Sequence, residues 1–390
     1  GWLEAMGLVS SFPYMYIAMY AGAAAPLLSV LRIPGFVVDF SGETSGGKTT
    51  ALRFAASVWG RPAESYPTAM YSWDATKVWI ERTSGFLHNL PLILDETKRA
   101  RHPRIVRDVI YDFCQGQGRG RGAVDGTRHT ESWRSILISS GEGAATSFSQ
   151  DAGTRARVLS LKGKPLGSDV AIGSRVSEEA QLTLACNYGH LGRRIVQYLV
   201  ANEASHDDIR EIFNRARAKY AGIARTAVAR RHAGHLAVLE VIAAIVHLLG
   251  VPQPDVDPFA YLIESQEAAA VDADRPLAAL QDMLSWCATH QTRFWGRADL
   301  DNNGRPRAPT SGWAGSWVQG DDWDFIAIST LTFKEVIRSI GHDPDEIISR
   351  WVSRGWLNTG QGRHRTRVVR IDGAPTRCYC IDREASEFAL

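Results

Sequence analysis

The sequence predicts an α/β fold in its first part, then a mainly helical region, and finally a smaller domain of helices and a β-hairpin. Three apolar runs predict the core strands of the α/β part, and they lie at 36–40, 90–94 and 135–140. Segments with helical spacing separate these runs, and alternation of strands with helices is typical of α/β proteins.

The first predicted strand leads into a glycine-rich loop and then into a helix. The loop, which we call the glycine loop, has the pattern G-x-x-x-x-G-K-T (Walker A) and consists of Gly42, Glu43, Thr44, Ser45, Gly46, Gly47, Lys48 and Thr49, with Thr50 next. Glycines let successive N–H groups turn toward phosphate oxygens, and the following helix N-terminus adds its positive end. The pattern predicts a nucleotide site in which Lys48 reaches the β- and γ-phosphates and Thr49 binds Mg²⁺. A glycine-rich turn with an accidental lysine is the alternative interpretation.

Two carboxylates, Asp95 and Glu96, end the second predicted strand in a Walker B pattern. Asp95 is expected to hold Mg²⁺ through water, and Glu96 to orient and polarise the attacking water. The string alone is not specific, because any solvated strand end can carry carboxylates. Together with the glycine loop it predicts hydrolysis of ATP with Mg²⁺ as the cofactor.

Polar groups near two further strands complete the predicted catalytic set. Ser139 and Ser140 end the third strand, and one of them could hydrogen-bond the γ-phosphate or the lytic water. The alternative is that both are ordinary polar residues at the end of a strand. Arg155 and Arg157 precede another strand. In ring ATPases an arginine placed there stabilises the transition state on the neighbouring subunit. We expect Arg157, then Arg155, to be this arginine finger; a surface arginine is the alternative.

Two basic segments predict contact with DNA. The first runs from 116 to 130, with a hairpin turn at Asp125-Gly126, and carries Arg119, Arg121, Arg128 and His129. The second follows helices predicted at 331–340 and 345–354, and its predicted wing carries Arg363, Arg365 and Arg367. Two helices and a basic two-stranded wing outline a winged helix, a common DNA-binding module. A flexible glycine loop and a protein-binding winged helix are the respective alternatives.

Length and composition give predictions about domain organisation, nucleic-acid binding and cellular compartment. The chain of 390 residues is expected to divide into a core at 1–165 (with N-terminal helices at 1–31), a helical lid at 166–250, a linker at 251–276 and a winged-helix-like domain at 277–390. A net charge of +2 gives no global signal for nucleic acid. Five scattered cysteines without zinc spacing indicate a reducing, cytoplasmic compartment.

Three further segments have ordinary structural interpretations. The uncharged stretch 5–31 contains two prolines and is rich in alanine, so we expect buried core helices rather than a membrane span. His232, His235 and His247 lack an acidic partner motif and are expected to pack rather than bind metal. Because the chain begins with Gly1 instead of Met, we expect it to come from a longer polypeptide.

Read together, the first 160 or so residues resemble the domain-of-unknown-function 927 family (DUF927), which is found in helicase-like proteins of phages and mobile elements. The matching strings lie at 26–28, 42–50, 55–60, 72–76, 92–96, 116–122 and 133–142. The family is similar to ring-forming AAA+ helicases of the minichromosome-maintenance kind. The resemblance implies an AAA+ core, a hexameric ring, a pore hairpin at 116–130, and Arg155 or Arg157 as a finger acting on the neighbouring subunit.

The predicted function is therefore an ATP-driven, ring-type DNA helicase or translocase from the replication system of a mobile genetic element. Its partners would be single-stranded or forked DNA and further copies of the chain, with no membrane. The alternative is a nucleotide-gated DNA-binding switch (an initiator, a loader or a phage-defence ATPase) that does not unwind DNA.

Overall fold

The computed structural model of the chain describes residues 1–120, 122–123, 126–127, 130–148, 152–272, 274–302, 304–318, 320, 323–359 and 365–389. These residues form two compact units, Gly1–Val271 and Asp272–Leu390. The division lies inside the segment that the sequence predicts as a linker.

A five-stranded sheet organises the first unit, and every neighbouring pair of its strands is parallel. The strands of this unit are β1 (Phe36–Ser41), β2 (Tyr71–Ser72), β3 (Leu92–Asp95), β4 (Gly122–Ala123), β5 (Gly126–Thr127), β6 (Ile136–Gly141) and β7 (Val158–Lys162). Their order in the sheet is β2-β3-β6-β1-β7, while β4 and β5 form a separate antiparallel pair. Strand β6 therefore separates β1, which leads into the glycine loop, from β3, which ends in the predicted carboxylates.

Helices cover both faces of this sheet, which explains why its central strands are apolar on both sides. They are α1 (Trp2–Leu8), α2 (Pro13–Ala24), α3 (Leu27–Leu31), α4 (Lys48–Ser57), α5 (Lys77–Leu87), α6 (Pro103–Gln115), α7 (Ala152–Arg155), α8 (Val170–Cys186), α9 (His190–Ala201), α10 (His206–Ile223), α11 (Ala227–Leu248) and α12 (Pro258–Asp272). Side chains of α2, α4 and α8–α11 share one core with Phe36 and Val38 of β1. Those of α5 and α6 pack with Val37 on the opposite face.

The uncharged segment at 5–31 forms most of α1 and all of α2 and α3, and α2 is almost wholly buried. Trp59, just after α4, donates its indole N–H to the carbonyl oxygen of Gly22 in α2 (2.7 Å). This bond ties α2 to the helix that follows the glycine loop. Among the described residues one helix, α11, is long and apolar enough to cross a membrane, and 61% of its apolar window is buried inside the protein.

The helices after β7 belong to the same compact unit as the sheet. Most of the predicted linker is helix α12, in which Leu262 is buried and the Gln266 side-chain amide donates to the carbonyl oxygen of Ser160 in β7 (2.9 Å). Phe259 stacks on Tyr20 of α2. The Pro- and Asp-rich sequence at 252–258 resembles a linker, but the apolar residues that follow it are buried against the first unit.

The described residues of the second unit form four helices and a five-stranded sheet. Its elements are α13 (Arg275–Thr289), β8 (Phe294–Trp295), β9 (Gly315–Ser316), β10 (Phe325–Ser329), α14 (Thr330–Ser339), α15 (Pro344–Ser353), β11 (Arg367–Ile371), β12 (Ala374–Asp382) and α16 (Arg383–Ala389). The strand order is β11-β12-β10-β9-β8, and the sheet is antiparallel except for one parallel pair, β8 with β9. Helices α14 and α15 confirm the two predicted there, and β11 and β12 form the predicted hairpin around Asp372-Gly373.

The three histidines of α11 are packed, as expected. His235 lies against the Phe36 ring with centroids 4.3 Å apart, and burial lowers the pKa of His235 to about 3. Burial also lowers the pKa of His232, whose Nε2 lies 3.1 Å from the carbonyl oxygen of Arg155. His247 shares a 2.7 Å hydrogen bond with the Tyr20 hydroxyl. These three imidazoles hold α11 against α2 and the sheet.

One carboxyl group lies inside the sheet. Asp39 of β1 is fully buried and accepts a hydrogen bond from the backbone N–H of Ala145 (2.7 Å). Burial raises the pKa of Asp39 from its usual 3.8 to about 7. Between these two pKa values the Asp39 carboxyl group is therefore protonated in the folded protein and ionised in the unfolded chain.

We predict that unfolding free energy falls as pH rises from about 4 to 7, by up to about 1.4 kcal/mol per pH unit for this one group. Asp39→Asn keeps the shape of the neutral acid but cannot ionise. The unfolding free energy of the variant should therefore decrease less between pH 4 and 7 than that of wild type. Denaturant titrations at several pH values test this, with the exposed Asp74→Asn as the control. An identical pH slope in wild type and Asp39→Asn would contradict the assignment.

Candidate nucleotide-binding site

The glycine loop leaves the carboxyl end of β1 and enters α4, and two of its glycines are required by its geometry. Gly42 has φ of 145° and Gly47 has φ of 90°, a region that side chains rarely adopt. A Cβ on Gly42 would lie 2.6 Å from the carbonyl oxygen of Gly163, and one on Gly47 would lie 2.6 Å from the Leu166 side chain. The segment after β7 thus packs directly against the loop.

Lys48 is the first residue of α4, and its side chain folds back over the loop. Its ammonium donates to the carbonyl oxygens of Gly42 (2.8 Å) and Glu43 (2.6 Å), although the residue is buried. The positive N-terminus of α4 faces the same space as this ammonium. The arrangement is an anion site of the kind that binds phosphate.

Thr49, Asp95 and Ser140 come from three elements and meet at the carboxyl edge of the sheet. The Thr49 hydroxyl donates to Asp95 Oδ2 (3.1 Å). The Ser140 hydroxyl donates to Asp95 Oδ1 and accepts the backbone N–H of Glu96 (3.0 Å). One hydroxyl and one carboxylate suit Mg²⁺, which takes few protein ligands and keeps most of its waters and phosphate oxygens. The donor set therefore fits the predicted metal, and the described residues contain no cluster of three or more His, Cys, Asp or Glu side chains that could hold another one.

Glu96 follows Asp95 with an unusual backbone. Its φ is 64°, uncommon for a residue other than glycine and often found at functional sites. Its carboxylate accepts the backbone N–H of Lys98 (3.1 Å) and lines the same cleft as the glycine loop. The turn thus places Glu96 in the lining of the cleft, whereas the Asp95 carboxylate contacts Thr49.

The structure distinguishes between the two serines that the sequence could not separate. Successive residues of a strand point to opposite faces. Ser139 is buried, and its hydroxyl accepts the indole N–H of Trp73 (3.1 Å) on the far side of the sheet from α4. Ser140 therefore reaches the site, and Ser139 does not.

The cleft above the glycine loop has a volume of about 390 Å³. Besides the loop, Glu96 and Ser140, its lining includes residues that the sequence did not predict: Arg53, Glu64, Leu166, Gly173, Ser174, Ser177 and Glu178. Ser177 of α8 hydrogen-bonds the Thr50 hydroxyl (2.7 Å). The sequence of α8 contains no recognisable motif, so only the fold shows that this helix lines the cleft.

A second cleft, of about 580 Å³, adjoins the first and shares Thr49 and Glu64 with it, and Asp95 lines this second cleft. Its far wall carries two aromatic rings, Tyr71 and Trp79, whose centroids lie 5.1 Å apart. Two basic side chains, Arg99 and Arg101, also line it. The cleft above the glycine loop is therefore open, on the side of Thr49, to a large, partly charged groove.

Arg155 and Arg157 lie at the opposite end of the sheet. Val158 pairs with Val37, so Arg157 lies level with Phe36, the first residue of β1, and precedes the glycine loop by about 20 Å along the strand direction. The Arg157 guanidinium lies over the Tyr111 ring, 5.1 Å from its centroid. Neither arginine is brought to the glycine loop of its own chain.

The predicted DNA-binding residues are distributed over both units. In the first, Gly118 donates to Glu131 at the base of the β4–β5 hairpin, and Arg119 pairs with Asp112 (Nε to Oδ2, 3.4 Å). In the second, Arg365 donates to the Ser349 hydroxyl (2.9 Å), and Arg367 donates to the Asn358 side chain (2.7 Å). Arg121, Arg128, His129 and Arg363 lie outside the described residues.

We predict that Gly47→Ala lowers the free energy of unfolding by about 1–3 kcal/mol, because a non-glycine residue at positive φ is strained. The added Cβ would also displace Leu166. Denaturant titration measures the change. Gly222→Ala in α10 is the matched control, since a Cβ there meets no atom within 4 Å and alanine favours a helix. Equal stability of Gly47→Ala and wild type would show that the loop tolerates a side chain.

Comparisons with known proteins agree with this architecture. The fold is similar to a solved structure described as "SCCmec type IV Cch - active helicase", with a TM-score of 0.68, 19% sequence identity, and coverage of 97% of this chain and 68% of that chain. No curated protein matches the sequence with significance. Residues 1–133 match the model of the domain of unknown function DUF927. The resemblance that the sequence predicts is thereby confirmed over residues 1–133, the part of the chain that matches this family.

Proposed function

We propose that the chain is an ATP-hydrolysing, ring-type DNA helicase or translocase from the replication system of a mobile genetic element, acting in the cytoplasm. The observation that carries the proposal is the meeting of Lys48, Thr49, Asp95, Glu96 and Ser140 at one edge of the sheet. Similarity of the fold to a helicase structure supports the same class of function.

Each residue of this edge has a role that its position permits. The Lys48 ammonium and the N–H groups of the loop would bind the phosphates of ATP. Thr49 and Asp95 would hold Mg²⁺, which when bound neutralises charge on the β- and γ-phosphate oxygens. Glu96 would orient a water molecule and accept its proton. Ser140 positions the Asp95 carboxylate and the backbone of Glu96, since it hydrogen-bonds both.

We assign the first unit as an AAA+ core with helices α8–α11 as its lid, and the second as a winged helix. The site would be completed by a neighbouring copy in a hexameric ring. Arg157 and Arg155 are too far from their own glycine loop, about 20 Å or more along the strand, to act on it. The second cleft adjoins Thr49 and Asp95 and leaves room for a neighbour's arginine.

We assign DNA binding to the hairpin and to the wing. The β4–β5 pair lies between α6 and β6 in the chain, at the amino end of the sheet and away from the nucleotide cleft, and Arg119, which precedes the pair, is 63% exposed. Arg365 is also exposed, whereas Arg367 is half-buried and lies over the Phe325 ring. Basic side chains that follow a phosphate backbone give binding that weakens steeply with salt.

We predict that wild type hydrolyses ATP faster with single-stranded DNA, and that two variants lose hydrolysis for different reasons. Lys48→Ala removes the cation that binds the phosphates, so ATP binding is lost as well. Glu96→Gln keeps binding but loses the base, which costs about 10²–10⁴-fold in kcat. Phosphate release and ATP binding are measured together, with the exposed Glu211→Gln of α10 as the control. Unchanged hydrolysis in either site variant would contradict the assignment.

A mixing experiment tests the role of the neighbour. Arg157→Ala is expected to lower kcat by about 10³–10⁵-fold, as loss of an arginine finger does. Mixed with inactive Lys48→Ala chains, it should regain activity, because the loop of one chain and the arginine of the other form an intact site. Arg155→Ala is tested in parallel. If neither arginine variant loses activity alone, the composite site is wrong.

The alternative function, a nucleotide-gated DNA-binding switch, shares all these residues. A strand-displacement assay on forked DNA separates the two functions. A helicase releases the annealed strand at saturating ATP, whereas a switch binds the fork and leaves it annealed.

A further inference from the structure

Three polar side chains connect the glycine loop to the ends of β6 and β3. The Thr44 hydroxyl, in the loop, donates to Glu142 Oε1 (2.9 Å). Glu142 directly follows β6, and its other oxygen, Oε2, pairs with the Lys98 ammonium, which lies three residues beyond Asp95. Thr44 lines the nucleotide cleft, so the Glu142 carboxylate lies at its rim. The proposed mechanism uses neither Glu142 nor Lys98.

Two contacts place this carboxylate at the γ-phosphate end of the loop. The lysine of such a loop reaches the β- and γ-phosphates, and here the Lys48 ammonium rests on the carbonyl oxygens of Gly42 and Glu43, next to Thr44. The backbone N–H of Gly42 also donates to the carbonyl oxygen of Gly141, the residue before Glu142 (3.2 Å). Glu142 is therefore held close to Gly42 and Glu43, the two residues whose carbonyl oxygens bind the Lys48 ammonium.

The Glu142 carboxyl group carries a negative charge at neutral pH. Hydrogen bonds from Lys98 and then Thr44 lower its pKa, and the nearby charge of Lys48 acts in the same direction. A carboxylate at the rim of an anion site repels the anion, unless a cation balances it. Lys98 is that cation, and its side chain is 62% exposed, so it is free to turn toward another anion.

We propose that the Glu142–Lys98 ion pair, held at the rim of the glycine loop by Thr44, makes the site discriminate between ATP and ADP. The terminal phosphate of ATP brings extra negative charge to this end of the loop, and ADP brings none. Lys98 offsets the repulsion from Glu142 and favours the terminal phosphate, whereas Glu142 alone opposes it. The inference rests on the proposed nucleotide binding.

The test compares the binding of a non-hydrolysable ATP analogue with that of ADP, both with Mg²⁺, by calorimetry at low salt. Lys98→Met leaves the carboxylate unbalanced, so analogue affinity should fall about three- to fivefold, the effect of an exposed charge pair. Glu142→Gln keeps a partner for Thr44 and removes the repulsion, so analogue affinity should rise by a similar factor. ADP affinity should stay within about twofold in both variants, because its last phosphate lies farther from the pair and the Coulomb energy falls with distance.

The double variant Lys98→Met/Glu142→Gln should return the ratio of the two affinities toward the wild-type value, since it removes both charges. Opposite signs in the single variants, with compensation in the double variant, would support the proposal. If wild type binds both nucleotides, but the variants change the affinities for the analogue and for ADP equally or not at all, the proposal is overturned. The assignment of the nucleotide site is unaffected by that result. A wild-type chain that binds neither nucleotide would overturn the proposed function itself.

Discussion

The carboxylate of Asp95 is the group on which the candidate site depends. Its two oxygens accept hydrogen bonds from Thr49 at the start of α4 and from Ser140 at the end of β6. Ser140 in turn accepts the backbone N–H of Glu96. A single carboxylate thus connects the helix after the glycine loop with two strands of the sheet. Charge-assisted hydrogen bonds of this kind are about twice as strong as neutral ones, so they hold the hydroxyls where a metal ligand is needed.

The order of the strands determines which residues can share that carboxylate. Because β6 lies between β1 and β3, its end meets both the glycine loop and the carboxylate turn. All five strands run in the same direction, so every group that follows a strand gathers at one edge. Groups that precede a strand gather at the other edge, and these include Arg157, Arg155 and the hairpin before β6. One parallel sheet therefore separates the proposed nucleotide edge from the edge proposed to act on a neighbour and on DNA.

Much of this could be predicted from local patterns in the sequence. The glycine loop and the pair Asp95-Glu96 are contiguous motifs whose chemistry depends on spacing along the chain, and the structure brings them together. The choice between Ser139 and Ser140 could not be predicted. Successive residues of a strand point to opposite faces of the sheet, and the sequence alone does not show which of the two serines points toward α4. Ser177 and Glu142 reach the glycine loop across more than 90 residues of chain, with no motif to mark them. The prolines at 252–258 predict a linker at 251–276, whereas the surface that buries Leu262 of α12 is not evident from the sequence.

The account is tested most directly by the Mg²⁺ dependence of ATP hydrolysis in Asp95→Asn. The amide keeps the size of the side chain and can still contact Thr49 and Ser140, but it lacks the charge that a metal requires. Phosphate release should fall by about 10²-fold or more at low Mg²⁺ and recover only partly at high Mg²⁺, as expected when one charged metal contact is lost from a phosphoryl-transfer site. The same rate and the same Mg²⁺ dependence as wild type would contradict the claim that this edge of the sheet is the hydrolytic site.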